Sequence, residues 1–159
     1  MYTHPNKEIS KEERYELFIS YVKGYLDKFL LDISNLANFS AIVYDFFEDV
    51  NWAGFYLFHE GKLVLGPFQG KPACVEIEIG KGVCGTAAKE RKTVLVDDTH
   101  AFPGHIACDP LSKSEIVIPI IKNGMLYGVL DLDSPSLSRF SKQDQLYLEK
   151  AVHLLVDIL

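Results

Sequence analysis

Residues 115–133 read Glu115-Ile116-Val117-Ile118-Pro119-Ile120-Ile121-Lys122-Asn123-Gly124-Met125-Leu126-Tyr127-Gly128-Val129-Leu130-Asp131-Leu132-Asp133. Two β-branched, apolar runs flank Asn123-Gly124, a pair that favours the positive φ angles of a tight hairpin turn. The stretch predicts strands over Glu115–Lys122 and Met125–Asp133, joined antiparallel. Side chains alternate along a strand, so Asp131 and Asp133 share a face. Whether Glu115 joins them depends on register. A two-residue turn pairs Glu115 with Leu132, on the other face. A three-residue loop with a glycine bulge pairs it with Asp131 and gathers all three acids. Pro119, which donates nothing to the ladder, could mark a bulge. A solvated strand end is the plainer reading of the two aspartates; an acid cluster requires a register irregularity in this hairpin.

Working outward, more strands precede the hairpin. Trp52–Phe58 reads as a strand that turns at Gly61-Lys62 into Leu63–Leu65. Val75–Ile79 alternates apolar and acidic residues, the period of a half-buried strand. Gly80, Gly82 and Gly85 punctuate a loop leading to a short helix over Val83–Lys89, and Thr93–Val96 is a further strand. Asp97–Ser114 shows no periodicity, and a loop of that length in a compact domain often carries function.

At the N-terminal side, Ser10 and Glu13 form a capping-box signature. Tyr15, Phe18, Val22, Tyr25, Leu26 and Phe29 follow at helical spacing. A second helix begins at Asp32 with Leu36, Phe39, Val43 and Phe47. After the hairpin, Ser141 caps a last helix carrying Leu146, Val152, Leu155 and Ile158. This is an α+β fold with a central, mostly antiparallel sheet and helices on one face.

The chain has 159 residues, enough for one domain with a real core. Apolar residues make up 48% and charged residues 24%, with a formal charge of −6. That balance disfavours nucleic acid and anionic membrane as partners. The densest basic run, Lys89-Glu90-Arg91-Lys92, reads as a solvated helix end. No apolar run approaches the roughly 20 residues that cross a bilayer, and the polar start lacks a secretory core. A cytoplasmic location is expected, with no metal and no bound cofactor.

Three cysteines, Cys74, Cys84 and Cys108, carry the chemistry. Cys84 is hemmed by glycines; Cys108 has His105 three residues before it and Asp109 after it. Accessible thiols in polar surroundings favour the thiolate, whereas structural thiols hide among aliphatic neighbours. Zinc is a rival reading, with His100 or His105 as a fourth ligand. The thiols, ten and then 24 residues apart, contain no Cys-x-x-Cys pair to knuckle such a site. Gly80–Gly85 lacks the Gly-Lys-Ser/Thr ending of a phosphate loop. Trp52 and Tyr56 share a strand face, as core or as the wall of a ligand pocket.

Five stretches together resemble the free methionine-R-sulfoxide reductases, stand-alone GAF-domain enzymes. They are Asn51–Leu57, Leu65–Gly70, Gly80–Thr86, Gly104–Asp109 and Ser114–Val117. The similarity runs from about Asp32 to the C-terminus, which makes residues 1–31 an N-terminal helical extension and 32–159 the GAF catalytic part of a single domain. The resemblance implies a homodimer that reduces free L-methionine-(R)-S-oxide, with thioredoxin and NADPH as the external electron source. It implies Cys108 as nucleophile, Cys74 as resolving thiol and Cys84 as a third pocket cysteine. Trp52, Tyr56, Glu115, Asp131 and Asp133 fall on positions resembling the substrate pocket. A non-catalytic GAF sensor and a peroxide-sensing thiol switch are the alternatives from other classes.

Overall fold

A computed structural model describes residues 9–104 and 109–159. Its elements are α1 (Lys11–Tyr25), α2 (Asp32–Phe46), β1 (Trp52–His59), β2 (Lys62–Gly70), β3 (Glu76–Glu78), α3 (Gly82–Glu90), β4 (Val94–Val96), β5 (Ser114–Lys122), β6 (Met125–Ser134) and α4 (Lys142–Val156). A single 3-10 turn, Thr99–Ala101, interrupts the long loop before β5.

The six strands form one sheet in the order β3-β2-β1-β6-β5-β4. Every described pairing is antiparallel. Strand alternation gives each face its own core. Ala53, Phe55, Ile116, Ile118, Ile120, Leu130 and Leu132 point toward the three long helices. Trp52, Tyr56, Val117 and Val129 point the other way, toward α3. The expectation of helices on one face thus holds for α1, α2 and α4, while α3 lies against the opposite face.

The capping box at Ser10 and Glu13 forms as expected, and the expected Ser141 cap is completed by Asp144 into a second capping box. Two apolar assignments need correction. α1 stops at Tyr25, not Phe29, and Phe29 is 85% exposed. The Asn35 side chain exchanges hydrogen bonds with the Asp27 backbone and ends the helix there. In α4 the buried stripe is Leu148, Ala151, Val152 and Leu155, whereas Leu146 is exposed. β2 also runs on past Leu65 to Gly70. Gly66 and Pro67 look like strand breakers, but they occupy a bulge where the β1–β2 register shifts.

The hairpin settles the register question in an unexpected way. Asn123 and Gly124 adopt φ 52° and 76°, a tight two-residue turn. Lys122 faces Met125 and Ile121 faces Leu126, but Ile120 faces Gly128, so Tyr127 is the extra residue of a bulge. Glu115 therefore pairs with Asp133, not with Asp131 or Leu132, and Asp131 pairs with Val117. The irregularity sits in β6 and not in the turn or at Pro119. Gly128 makes it possible: a Cβ there would lie 2.4 Å from the Tyr56 carbonyl oxygen of β1.

Gly85 anchors α3 in the same manner, since a Cβ on it would meet the Glu78 carbonyl oxygen at 2.3 Å. Backbone cannot yield as a side chain can. Gly85→Ala is expected to destabilise the protein by about 3 kcal/mol through overpacking. Urea unfolding checks this, and an unchanged midpoint would refute it.

Candidate active site

The α3 face of the sheet holds a pocket. Trp52 and Tyr56 from β1, Glu115 from β5, and Asp131 and Asp133 from β6 line it with the first turn of α3. The one-residue bulge in β6 brings the three acids to one face. Trp52 and Tyr56 stack at 5.8 Å between ring centroids, and Phe68 stacks on Trp52 at 5.3 Å. Their polar tips hold the segment opposite. Trp52 Nε1 donates to the Lys71 carbonyl at 3.1 Å, and Tyr56 OH to the Cys74 carbonyl at 3.0 Å. These two rings are thus both core and pocket wall, and they tether the chain that carries Cys74.

Cys84 is buried at the start of α3, where its thiol donates to Glu115 Oε1 at 3.9 Å. Ligand atoms of Cys84, Glu115 and Asp131 all lie within 4.8 Å of one another. Three acidic groups so close, and so far from water, cannot all ionise. Burial, then the Asp131 and Asp133 charges, holds the Glu115 carboxyl well above its ordinary range. Burial raises Asp131 to about 7, partly offset by hydrogen bonds from Cys84 and Glu115. Asp133 is raised by loss of water and by the Asp131 charge, with the Ser112 hydroxyl opposing. Cys84 is also pushed up, by burial first and then by the Asp131 and Glu115 charges, so it persists as a thiol. A soft divalent cation could find three ligand atoms here, but only by displacing the protons that this environment retains.

Asp131 is 5% exposed, and its Oδ1 has no hydrogen-bond partner among the described residues. Its raised pKa has a stability consequence with a definite sign. From an ordinary value of 3.8 up to about 7, the folded chain holds a proton that the unfolded chain has lost. Stability therefore falls as pH rises through that window. Asp131→Asn removes the penalty and is expected to stabilise the protein at pH 8 by about 1–3 kcal/mol. Thermal melts should show the gain fading toward pH 4; a gain constant across that range would refute the assignment.

Cys74 is disulfide-bonded, while Cys84 is free. Cys108 and His105 lie outside the described residues. Sequence reasoning passed over Lys71, Lys81 and Ser112, which also line the pocket. No spacing flagged them, because loop residues carry no period. Asn51 and Asp109 flank motif residues in the sequence, and no pattern there marks a role for either.

The GAF domain family profile matches residues 26–156. The free methionine-R-sulfoxide reductase of Escherichia coli (strain K12) is 49% identical over 127 residues, covering 80% of this chain and 77% of its own. The chain belongs to the GAF-domain family of free methionine-R-sulfoxide reductases. Another free methionine-R-sulfoxide reductase, from Saccharomyces cerevisiae, is 43% identical over 158 residues, covering 94% and 88% of the two chains. The free methionine-R-sulfoxide reductase of Neisseria meningitidis, solved in complex with its substrate, superimposes with a TM-score of 0.87 at 38% identity. That match covers 99% of this chain and 95% of the other. No described helix is long and apolar enough to cross a membrane.

Proposed function

We propose that this protein reduces free L-methionine-(R)-S-oxide to methionine, with Cys108 as nucleophile and Cys74 as resolving thiol. The observation that carries the reading is the acid trio of buried Glu115 and Asp131 with half-buried Asp133. It faces an aromatic wall whose tyrosine hydrogen-bonds the Cys74 backbone. A reductase of this kind needs a thiolate, a proton for the departing oxygen and a second thiol, and the pocket joins the last two.

The Cys108 thiolate attacks the sulfoxide sulfur and forms an S–S bond. A protonated carboxyl of the trio, Glu115 foremost, donates to the sulfoxide oxygen, since bare oxide is a poor leaving group. Transfer of that oxygen to Cys108 as a hydroxyl releases methionine and leaves a sulfenic acid, so two electrons pass from cysteine to substrate. The Cys74 thiolate then displaces hydroxide as water and closes a disulfide. The bonded state of Cys74 beside a free, buried Cys84 supports this assignment. Thioredoxin reopens the bridge by thiol–disulfide exchange, drawing on NADPH in a cytoplasmic setting. No resident cofactor enters the cycle, and the working unit is a homodimer.

The same acids account for preference for the free amino acid. An ionised member can take the substrate ammonium, a group that becomes a neutral amide inside a polypeptide. Lys71 and Lys81 line the pocket alongside the first turn of α3, which has no side-chain cap, and offer positive partners for the carboxylate. A buried charge left unpaired discriminates strongly against the wrong substrate.

The test supplies each sulfoxide epimer with thioredoxin, its reductase and NADPH, and follows NADPH oxidation. Turnover of the free R epimer is expected. Equal turnover of both epimers, or of the N-acetylated compound, would overturn the proposal.

A further inference from the structure

Asn51 stands just before β1, and its backbone N–H donates to the Asp133 carbonyl at 3.0 Å. Its side chain reaches the other way. Nδ2 donates to Asp109 Oδ2 at 3.2 Å and to Ser112 Oγ at 3.1 Å. Asp109 follows Cys108 in the chain, and Ser112 comes three residues later. Asn51 thus joins the end of the acid-bearing hairpin, through its backbone, to the segment that leads out of Cys108, through its carboxamide.

The carboxamide orientation follows from its partners. Turned over, its oxygen would face the Asp109 carboxylate and lose a charge-assisted hydrogen bond. In the observed orientation Oδ1 is buried with no hydrogen-bond partner among the described residues. A side chain present only for packing would have no reason to bury such an acceptor. The clamped segment is itself ordered: Asp109 Oδ1 accepts from the Leu111 N–H at 2.9 Å, and the Asp109 carbonyl from the Ser112 N–H at 3.1 Å. Ser112 is buried, its carbonyl accepts from Thr99 Oγ1 at 3.0 Å, and its hydroxyl bonds Asp133. On its far side Asp109 pairs with Lys71 Nζ at 3.7 Å, in the segment leading to Cys74.

We propose that Asn51 is a positioning residue for the reductive step: by clamping Asp109 and Ser112 against the start of β1 and the end of β6, it sets the Cys108 sulfur relative to the acid trio. The inference rests on Cys108 being the nucleophile. Its carboxamide bonds Asp109 and Ser112, so it acts through the chain it holds. Loss of such alignment lowers the chemical step more than it lowers binding.

The experiment is single-turnover methionine formation from free L-methionine-(R)-S-oxide by the full chain in a Cys74→Ser background, which stops at the sulfenic acid. Asn51→Ala is expected to slow this step about 10-fold to 100-fold, while KM in the otherwise wild-type enzyme changes less than about threefold. Asp109→Ala cuts the same bond from its other end and tests the idea should Asn51→Ala fold poorly. In a double-mutant cycle the two losses should not add, because they share one interaction. A wild-type single-turnover rate in either variant, a rise confined to KM, or fully additive losses would overturn the clamp. Cys108→Ser separates the two claims. If that variant still reduces substrate, the nucleophile assignment fails and the clamp with it. If it is dead while Asn51→Ala is wild-type-like, only the clamp fails.

Discussion

Cys108→Ser is expected to lower kcat/KM for free methionine-(R)-sulfoxide by at least about 10³-fold. A neutral hydroxyl is far less nucleophilic than a thiolate and cannot form the sulfenic acid on which turnover depends. The effect is expected on kcat with little change in KM, the pattern of a group that acts only in the chemical step. Cys74→Ser should behave differently. Steady turnover with thioredoxin is lost, yet a single equivalent of methionine is still released. Cys84→Ser should retain the cycle, because Cys84 is free and is kept a thiol first by burial and then by the acids around it. Quenched-flow measurement of methionine, with mass spectrometry under non-reducing conditions, reads all three. A burst from Cys108→Ser equal to that of the wild type would remove the nucleophile from the proposal.

The second large effect is expected from Glu115→Gln, with a loss of about 10²- to 10³-fold in kcat. Glutamine keeps the shape and can still donate a hydrogen bond, but it has no proton to transfer. The Glu115 carboxyl is held well above its ordinary range by burial and then by the Asp131 and Asp133 charges, which favours the protonated form an acid catalyst needs. The sign of the pH dependence follows. An acid catalyst loses function as pH rises through its pKa, so wild-type kcat should fall on the alkaline side. That limb should vanish in Glu115→Gln, leaving a low, flatter profile. Near-wild-type kcat, or an intact alkaline limb, would return Glu115 to a structural role.

Legibility differed by kind of feature. The Ser10–Glu13 capping box, the Ser141 cap, the Asn123-Gly124 turn and the α2 start at Asp32 are readable because each is a local device, complete within a few residues. The helical spacing overruns the end of α1 because the Asn35 side chain that bonds the chain at Asp27 lies outside the helix. The sequence pattern of β2 stops short because Gly66 and Pro67 break a strand by propensity, whereas pairing with β1 accommodates them in a bulge.

The site divides along the same line. Asp131 and Asp133 on one strand face follows from alternation alone. That an irregular register is needed to bring Glu115 to them was also deducible. Its location at Tyr127, and hence the Glu115–Asp133 pairing, was not, because the close passage of Gly128 beside β1 belongs to the assembled sheet.

Residue types and local periods determined which elements form, which face of each strand is apolar, and that the chain carries thiols and carboxylates fit for sulfur chemistry. Only the tertiary structure decided that Cys84 sits among the acids, that Trp52 and Tyr56 hold the Cys74 segment, and that Asn51 clamps Asp109. The reason is physical: these contacts join residues 18 to 58 positions apart, and pKa shifts arise from desolvation that exists only once the layers have closed.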